Sequence, residues 1–196
     1  MMYFIVALVA YLIGNITGSY IISKTVFAED IREKGSGNAG TTNMLRIYGL
    51  LPGILTLAID MAKGYLAVYL GALIEPQYGS YIAGLFVVIG HIWPVVLKFK
   101  GGKGMATSAG VYLYHTPWML LIALVLFFLI NIIGKIMSLT SLILVVFATI
   151  YIFIFHNNDY FLMALTVLLA IMVFYSHRTN IKRLSEGNEN KITIKK

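Results

Sequence analysis

Long apolar runs separated by short polar segments make up most of this chain. Because about 20 consecutive apolar residues cross the hydrocarbon core of a bilayer as a helix, each long run is a candidate membrane span. The candidate spans are residues 3–23, 50–73, 80–97, 105–116, 117–134, 137–155 and 160–176. The runs are continuous rather than alternating with a period of two, which disfavours a β-barrel. The pattern predicts an all-α, polytopic membrane bundle of seven transmembrane helices, forming one domain over residues 1–196.

The fourth span, residues 105–116, is short and partly polar, so it forms either a short crossing or a re-entrant helix. With seven crossings and the N-terminus outside, every Lys and Arg except the intramembrane Lys63 lies on the cytoplasmic side. A re-entrant segment would instead place Lys135 and the basic C-terminal tail outside. The positive-inside rule therefore favours seven crossings, with the C-terminus in the cytoplasm. The first span lacks a basic leading region and a cleavage site, so we expect it to be retained.

Composition agrees with a membrane protein and excludes several chemistries. The chain is 59% hydrophobic and 12% charged, whereas soluble domains carry about 25% charged residues. Cys is absent, which excludes disulfides, zinc–thiolate sites and cysteine nucleophiles. The sequence has neither an HExxH motif nor clustered carboxylates, so we expect no catalytic metal.

Three polar segments interrupt the apolar pattern, and all of them fall on the predicted cytoplasmic side. They are the first polar segment, Gly35–Arg46, the second, Lys98–Ser108, and the third, His177–Gly187. Unpaired backbone and polar side chains cost several kcal/mol in hydrocarbon, so these segments must lie in water or line a polar cavity. Because they share one side of the membrane, we expect them to converge on one site.

The first polar segment has the composition of an anion-binding loop. Its glycines allow backbone N–H groups to point at a ligand. The side chains of Asn38 and Asn43 can donate to an anion, Ser36 offers a hydroxyl, and Arg46 can grip a phosphate with two parallel hydrogen bonds. The alternative is a flexible linker between two helices.

The second polar segment also predicts phosphate binding. Lys100 and Lys103 flank Gly101 and Gly102, and a helix is expected to begin just after Gly104. The spacing differs from that of a Walker A loop but shares its open N–H groups, its lysine and its helix N-terminus. Lys98 and Lys100 have an alternative role as interfacial anchors.

The third polar segment places His177 and Asn180 three residues apart, on one face of a predicted interfacial helix. The alternative is a basic tail that binds anionic lipid, which explains the cations of this segment but not His177 or Asn180.

Two further features lie within spans. Asp60 and Lys63 are spaced to pair, and we favour a structural pair over a functional one. Ser141 follows Ser138 by one turn near the inner end of the sixth span.

A resemblance to the bacterial acyl-phosphate:glycerol-3-phosphate acyltransferase family, the PlsY-type membrane enzymes, is carried by three motifs in order. They read GSGNAGTTNMLR at Gly35–Arg46, GHIWPVVLKFKGGKGMAT at Gly90–Thr107 and HRTNIKRLSEGNE at His177–Glu189. DMAKG at 60–64 and SLTS at 138–141 also look like family features. The departures are small: Ala39, Thr41 and Asn15 stand where the family often has proline, alanine and serine.

The resemblance implies transfer of a fatty acyl group from acyl phosphate to the 1-hydroxyl of glycerol 3-phosphate, which gives lysophosphatidate and inorganic phosphate. It implies no cofactor and no nucleic acid. The expected partners are the two substrates, membrane lipids and, as a candidate, the enzyme that makes acyl phosphate. The expected location is the bacterial cytoplasmic membrane, with the site on the cytoplasmic side. The alternatives are a phosphate or organophosphate transporter, and a lipid-anchoring scaffold.

By the same resemblance, Ser36, Arg46 and Lys103 hold phosphate, and Ser141, His177 and Asn180 complete the pocket. His177 is a candidate general base because its ordinary pKa lies near neutrality. In the rival account the phosphate of the substrate assists deprotonation and His177 orients it. The sequence leaves both accounts open.

Overall fold

The computed structural model describes residues 1–191, which form α-helices joined by short turns and contain no β-strand. In chain order the α-helices are α1 Met2–Gly14, α2 Gly18–Phe27, α3 Thr41–Tyr48, α4 Leu50–Ile74, α5 Gly79–Ile92, α6 Met105–His115, α7 Pro117–Gly134, α8 Met137–Phe155, α9 Tyr160–Ser176 and α10 Arg178–Ser185. Two 3₁₀ turns, Ile31–Glu33 and Val95–Leu97, lie in the polar connections. The predicted all-α class is confirmed.

Local sequence signals fix several helix ends. Pro117 occupies the first position of α7, where its missing N–H is not needed. The Asp159 carboxylate caps α9 by accepting a hydrogen bond from the N–H of Leu162 at 2.9 Å. Lys135 ends α7 in a left-handed conformation with φ of 53°.

The chain divides into two compact units, of which the first comprises residues 1–114. In this unit α1 packs on α4 and α5, and α4 also contacts α2 and α3. Glycines allow the close approach of α1 and α5, because a Cβ on Gly14 would overlap the carbonyl oxygen of Val87 and one on Gly90 would overlap that of Tyr11. Close backbone packing of this kind is typical of membrane helices.

The second unit comprises the described residues from 115 onward. Within it α8 packs against both α7 and α9, and α9 is followed by α10 after a bend of 60°. Along α7 apolar side chains such as Leu124, Val125 and Phe128 are exposed. Exposed apolar faces of this length suit contact with lipid.

Five helical segments among the described residues are long and apolar enough to cross a membrane: Met2–Phe27, Leu50–Ile74, Gly79–Leu97, Pro117–Gly134 and Met137–Phe155. The bent pair of α9 and α10 gives a sixth. Helix α6 has only 11 residues, about 16 Å at 1.5 Å per residue, against a hydrocarbon core of about 30 Å. The seventh crossing and the orientation therefore stay predictions.

The first span differs from the single helix predicted over residues 3–23, because it breaks between α1 and α2. Thr17 has an extended backbone, with φ of −105° and ψ of 104°. The side-chain amide of Asn15 donates to the Tyr11 carbonyl at 2.6 Å and competes with the helical backbone there. The break exposes backbone groups within the span, and these require partners.

Candidate functional site

The first polar segment is folded around the buried side chain of Asn43, in the first turn of α3. Its Oδ1 accepts a hydrogen bond from the N–H of Ser36 at 3.0 Å. Its Nδ2 donates to the carbonyls of Ile31, Lys34 and Asn38 at 3.2, 2.9 and 3.1 Å. Asn43 therefore directs its amide to the loop, which differs from the direct phosphate contact expected from the sequence. The segment is a shaped loop and not a flexible linker.

The other polar groups of this loop are left accessible. Ser36 is exposed, while Asn38 and Arg46 are partly exposed. Arg46 lies one turn after Asn43 on α3, and its guanidinium forms no hydrogen bond or ion pair with another residue of the described part of the chain. These groups can receive an anion.

A cluster at the base of the first loop holds α3 in place. Tyr48 donates its hydroxyl hydrogen to Glu29 at 2.6 Å and stacks on Phe27 with ring centroids 4.0 Å apart. Burial, together with the Glu29 carboxylate, raises the pKa of Tyr48 to about 12. Tyr48 therefore remains a neutral hydrogen-bond donor across the physiological range.

The second polar segment begins with a tight turn after Pro94. Lys98 and Phe99 adopt left-handed backbones with φ of 55° and 60°, a conformation that costs about 1–2 kcal/mol for a residue other than glycine. The N–H of Phe99 donates to Pro94 at 2.9 Å. Strained turns of this kind persist where the surrounding structure enforces them, often at functional sites.

The glycines that follow lie directly on the end of α5. The N–H of Gly101 donates to the Ile92 carbonyl at 3.2 Å, and that of Gly102 donates to the His91 carbonyl at 3.1 Å. Neither glycine has room for a side chain, since a Cβ on Gly101 would lie 2.6 Å from Cδ of Pro94. A Cβ on Gly102 would overlap Nε2 of His91.

The start of α6 completes the second polar segment. Gly104 has φ of 86°, and the helix begins at Met105, as the sequence predicts. Lys100 is exposed and Lys103 is partly buried. The hydroxyls of Thr107 and Ser108, in the first turns of α6, are buried without a hydrogen-bond partner among residues 1–191. Unsatisfied hydroxyls at a helix N-terminus are suited to an oxyanion.

Two contacts join the interhelical connections that carry the first and second polar segments. Arg32 donates from Nη1 to the Leu97 carbonyl at 2.9 Å, and its guanidinium also pairs with Asp30 at 2.7 Å. This hydrogen-bonded pairing holds the pKa of the Asp30 carboxyl below its ordinary value. The second contact is at Gly102, where a Cβ would lie 2.7 Å from the Ala39 carbonyl oxygen. The predicted convergence of these two segments therefore occurs within residues 1–114.

The third polar segment is organised around Glu189. Its carboxylate accepts hydrogen bonds from Ser138 at 3.0 Å, Asn180 at 2.7 Å and Arg183 at 2.7 Å. Burial raises the pKa of this carboxyl, but the three donors together lower it more, so the net pKa lies below its ordinary value. Glu189 thus ties α8 to α10 in the second unit.

His177 lies at the junction of α9 and α10 and is only 3% exposed. Its Nδ1 is 2.9 Å from the Val173 carbonyl oxygen, which can only accept, so Nδ1 carries the proton. In the neutral ring Nε2 then carries the lone pair, so Nε2 is the nitrogen that can accept a proton. The hydroxyl of Ser141, another predicted site residue, donates to the Met137 carbonyl of its own helix at 2.9 Å.

The predicted site residues therefore fall into two groups. The first unit holds Ser36, Asn38, Asn43, Arg46, Lys100, Gly101, Gly102 and Lys103, and the second holds Ser141, His177 and Asn180.

Two important residues were not predicted from the sequence. In the sequence His91 is only one residue of the second motif and Glu189 only the last residue of the third. Each has a partner distant in the sequence, Lys63 for His91 and Ser138 for Glu189, and spacing does not reveal these contacts. Within residues 1–191 no group of three His, Asp or Glu side chains could hold a metal ion.

The fold and the glycine-rich loops together define an all-helical protein with helices of membrane-spanning length and with polar and cationic side chains in its loops. Comparison with known proteins then gives the family. The family model described as glycerol-3-phosphate acyltransferase matches residues 4–187. The chain belongs to the glycerol-3-phosphate acyltransferase family, and the predicted resemblance is confirmed.

Relatives and solved structures agree. The chain is 46% identical to a glycerol-3-phosphate acyltransferase of Finegoldia magna, covering 96% of this chain and 95% of the relative. It is 40% identical to the glycerol-3-phosphate acyltransferase of Bacillus subtilis, covering 94% of this chain and 95% of that relative. The crystal structure of PlsY (YgiH), an integral membrane glycerol 3-phosphate acyltransferase, in its glycerol 3-phosphate form has a TM-score of 0.92 at 30% identity, covering 98% of this chain and 96% of that one. The lysophosphatidic acid form of that protein has a TM-score of 0.89.

Proposed function

We propose that this protein transfers a fatty acyl group from acyl phosphate to the 1-hydroxyl of glycerol 3-phosphate at the cytoplasmic face of a bacterial membrane. The observation that carries the proposal is the joining of two glycine-rich, cationic loops at Gly102 and Ala39. Both substrates carry phosphate, so the reaction needs anion-binding groups for two neighbouring charges. A transporter has no comparable support from the structure, and the family membership favours the enzyme.

The reaction requires no covalent enzyme nucleophile. The hydroxyl oxygen of glycerol 3-phosphate attacks the acyl carbon, a new ester bond forms, and the bond from carbon to the phosphate oxygen breaks. Inorganic phosphate leaves with the electron pair of that bond. Acyl phosphate is a mixed anhydride with a good leaving group, so positioning and charge stabilisation supply most of the catalysis.

The residues have distinct roles in this proposal. Ser36, Arg46 and Lys103 hold phosphate, with Arg46 free to form two parallel hydrogen bonds to it. Asn43 shapes the loop from which Ser36 is presented. Lys100 adds positive potential, while the N–H groups of Gly101 and Gly102, expected from the sequence to face phosphate, donate to carbonyls at the end of α5.

His177 and Asn180 act on the attacking hydroxyl. The hydrogen bond from Nδ1 to Val173 fixes the His177 ring with its lone pair on Nε2, which allows it to accept the hydroxyl proton. In the other route the proton passes to a phosphate oxygen of the substrate while His177 orients the hydroxyl. The pH dependence of the reaction distinguishes the two.

The acyl chain has a candidate location in the second unit. An open apolar groove is lined by Leu142, Ile143, Val146 and Phe174 of α8 and α9. Leu142 follows Ser141 directly, and Phe174 precedes His177 by one turn. The lining of this groove is apolar, which suits a fatty acyl chain, and two of its residues are close in sequence to Ser141 and His177.

The test is to incubate the purified full-length protein in lipid or detergent with acyl phosphate and glycerol 3-phosphate, and to measure phosphate and lysophosphatidate. We expect both products in equal amounts, and none when glycerol replaces glycerol 3-phosphate. Acyl thioesters offered in place of acyl phosphate should give no product. Folded protein that forms no lysophosphatidate from acyl phosphate would overturn the proposal.

A further inference from the structure

A buried cluster of charged and polar side chains lies on α4 and α5 in the first unit. Asp60, Lys63 and His91 are 1%, 4% and 3% exposed. The Lys63 Nζ lies 3.0 Å from Oδ1 of Asp60 and 2.8 Å from Nδ1 of His91. Buried charges are strongly destabilising unless they are paired and hydrogen-bonded, so this cluster needs all of its partners.

One function of the cluster is to satisfy the break between α1 and α2. The Lys63 ammonium donates to the carbonyls of Gly14 at 3.1 Å and Ile16 at 2.5 Å. The Asp60 carboxylate accepts from the N–H of Gly18 at 3.4 Å, at the start of α2. A cation on the end of one helix and an anion at the start of the next match the charges of the exposed backbone groups.

The cluster also fixes the state of the His91 ring. The Lys63 ammonium has three hydrogens and four neighbouring acceptor groups, which are the two carbonyls, the Asp60 carboxylate and Nδ1 of His91, so these groups share its hydrogens. An ammonium has no lone pair and cannot accept a hydrogen bond, so Nδ1, 2.8 Å away, carries a lone pair and not a proton. In the neutral ring the proton then lies on Nε2. His91 thus presents an N–H on the edge that faces away from Lys63.

That edge of His91 supports the glycine loop. A Cβ on Gly102 would overlap Nε2 of His91, and the His91 carbonyl accepts the Gly102 N–H at 3.1 Å. On its other side Gly102 lies against the carbonyl of Ala39 in the first polar segment. The ring therefore lies beneath the point where the two loops of the site meet.

We propose that Asp60, Lys63 and His91 are positioning residues for substrate phosphate, with Lys63 holding His91 in the Nε2–H tautomer against Gly102. The inference rests on the proposed function, because it assigns phosphate binding to the glycine loop. The cluster does not touch substrate. It acts by setting the position of Gly101 and Gly102, and thereby of Lys103.

The kinetic test uses variants that leave no unpaired buried charge. The double variant Asp60→Asn/Lys63→Met removes both charges, and His91→Phe removes the ring nitrogens at similar volume. We expect both variants to raise the KM for glycerol 3-phosphate about tenfold or more, because a change of this size corresponds to the loss of one oriented hydrogen bond. The kcat should change much less. His91→Gln, which keeps an N–H at the ε position, should recover part of the loss.

The matched control is Thr56→Val on the same helix, because Thr56 is also fully buried and its hydroxyl donates only to Pro52, at 2.8 Å. We expect this variant to keep the wild-type KM even if its thermal midpoint falls. A wild-type KM in folded Asp60→Asn/Lys63→Met or His91→Phe protein would overturn the inference.

A spectroscopic measurement is independent of turnover. In protein labelled with ¹⁵N-histidine, the His91 signals, identified by their loss in His91→Gln, should show Nδ1 unprotonated and Nε2 protonated. A proton on Nδ1 would contradict the inference. Wild-type protein that is inactive with acyl phosphate would instead count against the proposed function, and the tautomer measurement would still decide the role of Lys63.

Discussion

Asn43 accepts a hydrogen bond from the backbone N–H of Ser36 at 3.0 Å through a side chain that is completely buried. The same amide donates to three carbonyls of the loop, so one side chain sets the shape of the whole first polar segment. The Asn43 amide, which the sequence suggested as a phosphate contact, is hydrogen-bonded to the loop itself.

Asn43→Ala is expected to disorder this loop. The change leaves several buried backbone groups unsatisfied, each costing about 1–3 kcal/mol, so thermal unfolding in detergent should occur at a clearly lower temperature and activity should be lost. Asn157→Ala, at an exposed position, is the control and should behave as wild type. An Asn43→Ala protein with unchanged stability would show that the loop is held by other contacts.

Arg46→Lys is expected to lower kcat/KM by about tenfold or more, because lysine keeps the charge but loses the two parallel hydrogen bonds of the guanidinium. Arg46→Ala should lower it further. Steady-state kinetics with varied glycerol 3-phosphate measures both. Lys182→Ala, whose side chain is 78% exposed, should have no effect. Equal activity of Arg46→Ala and wild type would remove Arg46 from the site.

Gly102→Ala is expected to displace the glycine loop, since the new Cβ would overlap Nε2 of His91. We expect a large increase in the KM for glycerol 3-phosphate. Gly134→Ala is the matched control, because a Cβ there meets nothing within 4 Å and alanine favours helix. If both variants have the same KM for glycerol 3-phosphate, the contact between Gly102 and His91 does not contribute to substrate binding.

His177→Ala is expected to reduce kcat by about 100-fold or more, the usual contribution of general acid–base catalysis. If His177 accepts the proton, the variant also loses the limb of the pH–rate profile near neutrality. A limb that is unchanged in the variant would assign proton acceptance to the substrate phosphate. The profile should be measured with saturating acyl phosphate, so that donor binding does not contribute.

Glu189 is expected to make the second unit sensitive to acid. Its pKa in the folded protein lies below its ordinary value, so its stabilising contribution is full above the ordinary value and is lost as the pH falls toward the folded value. Thermal unfolding measured from pH 7 downward should therefore show a fall below about pH 4.5. In Glu189→Gln this fall should be smaller, and stability at pH 7 should be lower than in wild type. A wild-type pH dependence in the variant would contradict this role.

Much of the fold was predictable because its signals are local. Apolar runs predicted most of the helices, including the spans that begin at residues 117 and 160, and the glycines before Met105 predicted the start of α6. The break at Asn15–Thr17 was not predicted, because the segment lies within a longer apolar run and its carbonyls are satisfied by Lys63 from another helix.

The candidate site was predictable in its composition and not in its internal contacts. The sequence placed Asn43 and Arg46 in one anion-binding loop, but it could not show that one amide is buried while the guanidinium remains accessible. It also gave no sign that His91 and Gly102 touch, since no helical periodicity relates a residue in a span to a glycine in the following loop.

The sequence by itself determined the membrane class, the helices and the residue types that can bind phosphate, because hydrophobic periodicity and glycine content act within a few neighbouring residues. Only the tertiary structure decided which polar groups are used up by the protein and which are left for a ligand. That division depends on packing between residues far apart in the chain: Lys63 with Gly14 and His91, and Gly102 with Ala39. Burial makes the contacts of Lys63 obligatory, since an unpaired polar group inside the bundle has no water to replace its partner. The contact of Gly102 with Ala39 is one of close packing and depends on the absence of a Cβ.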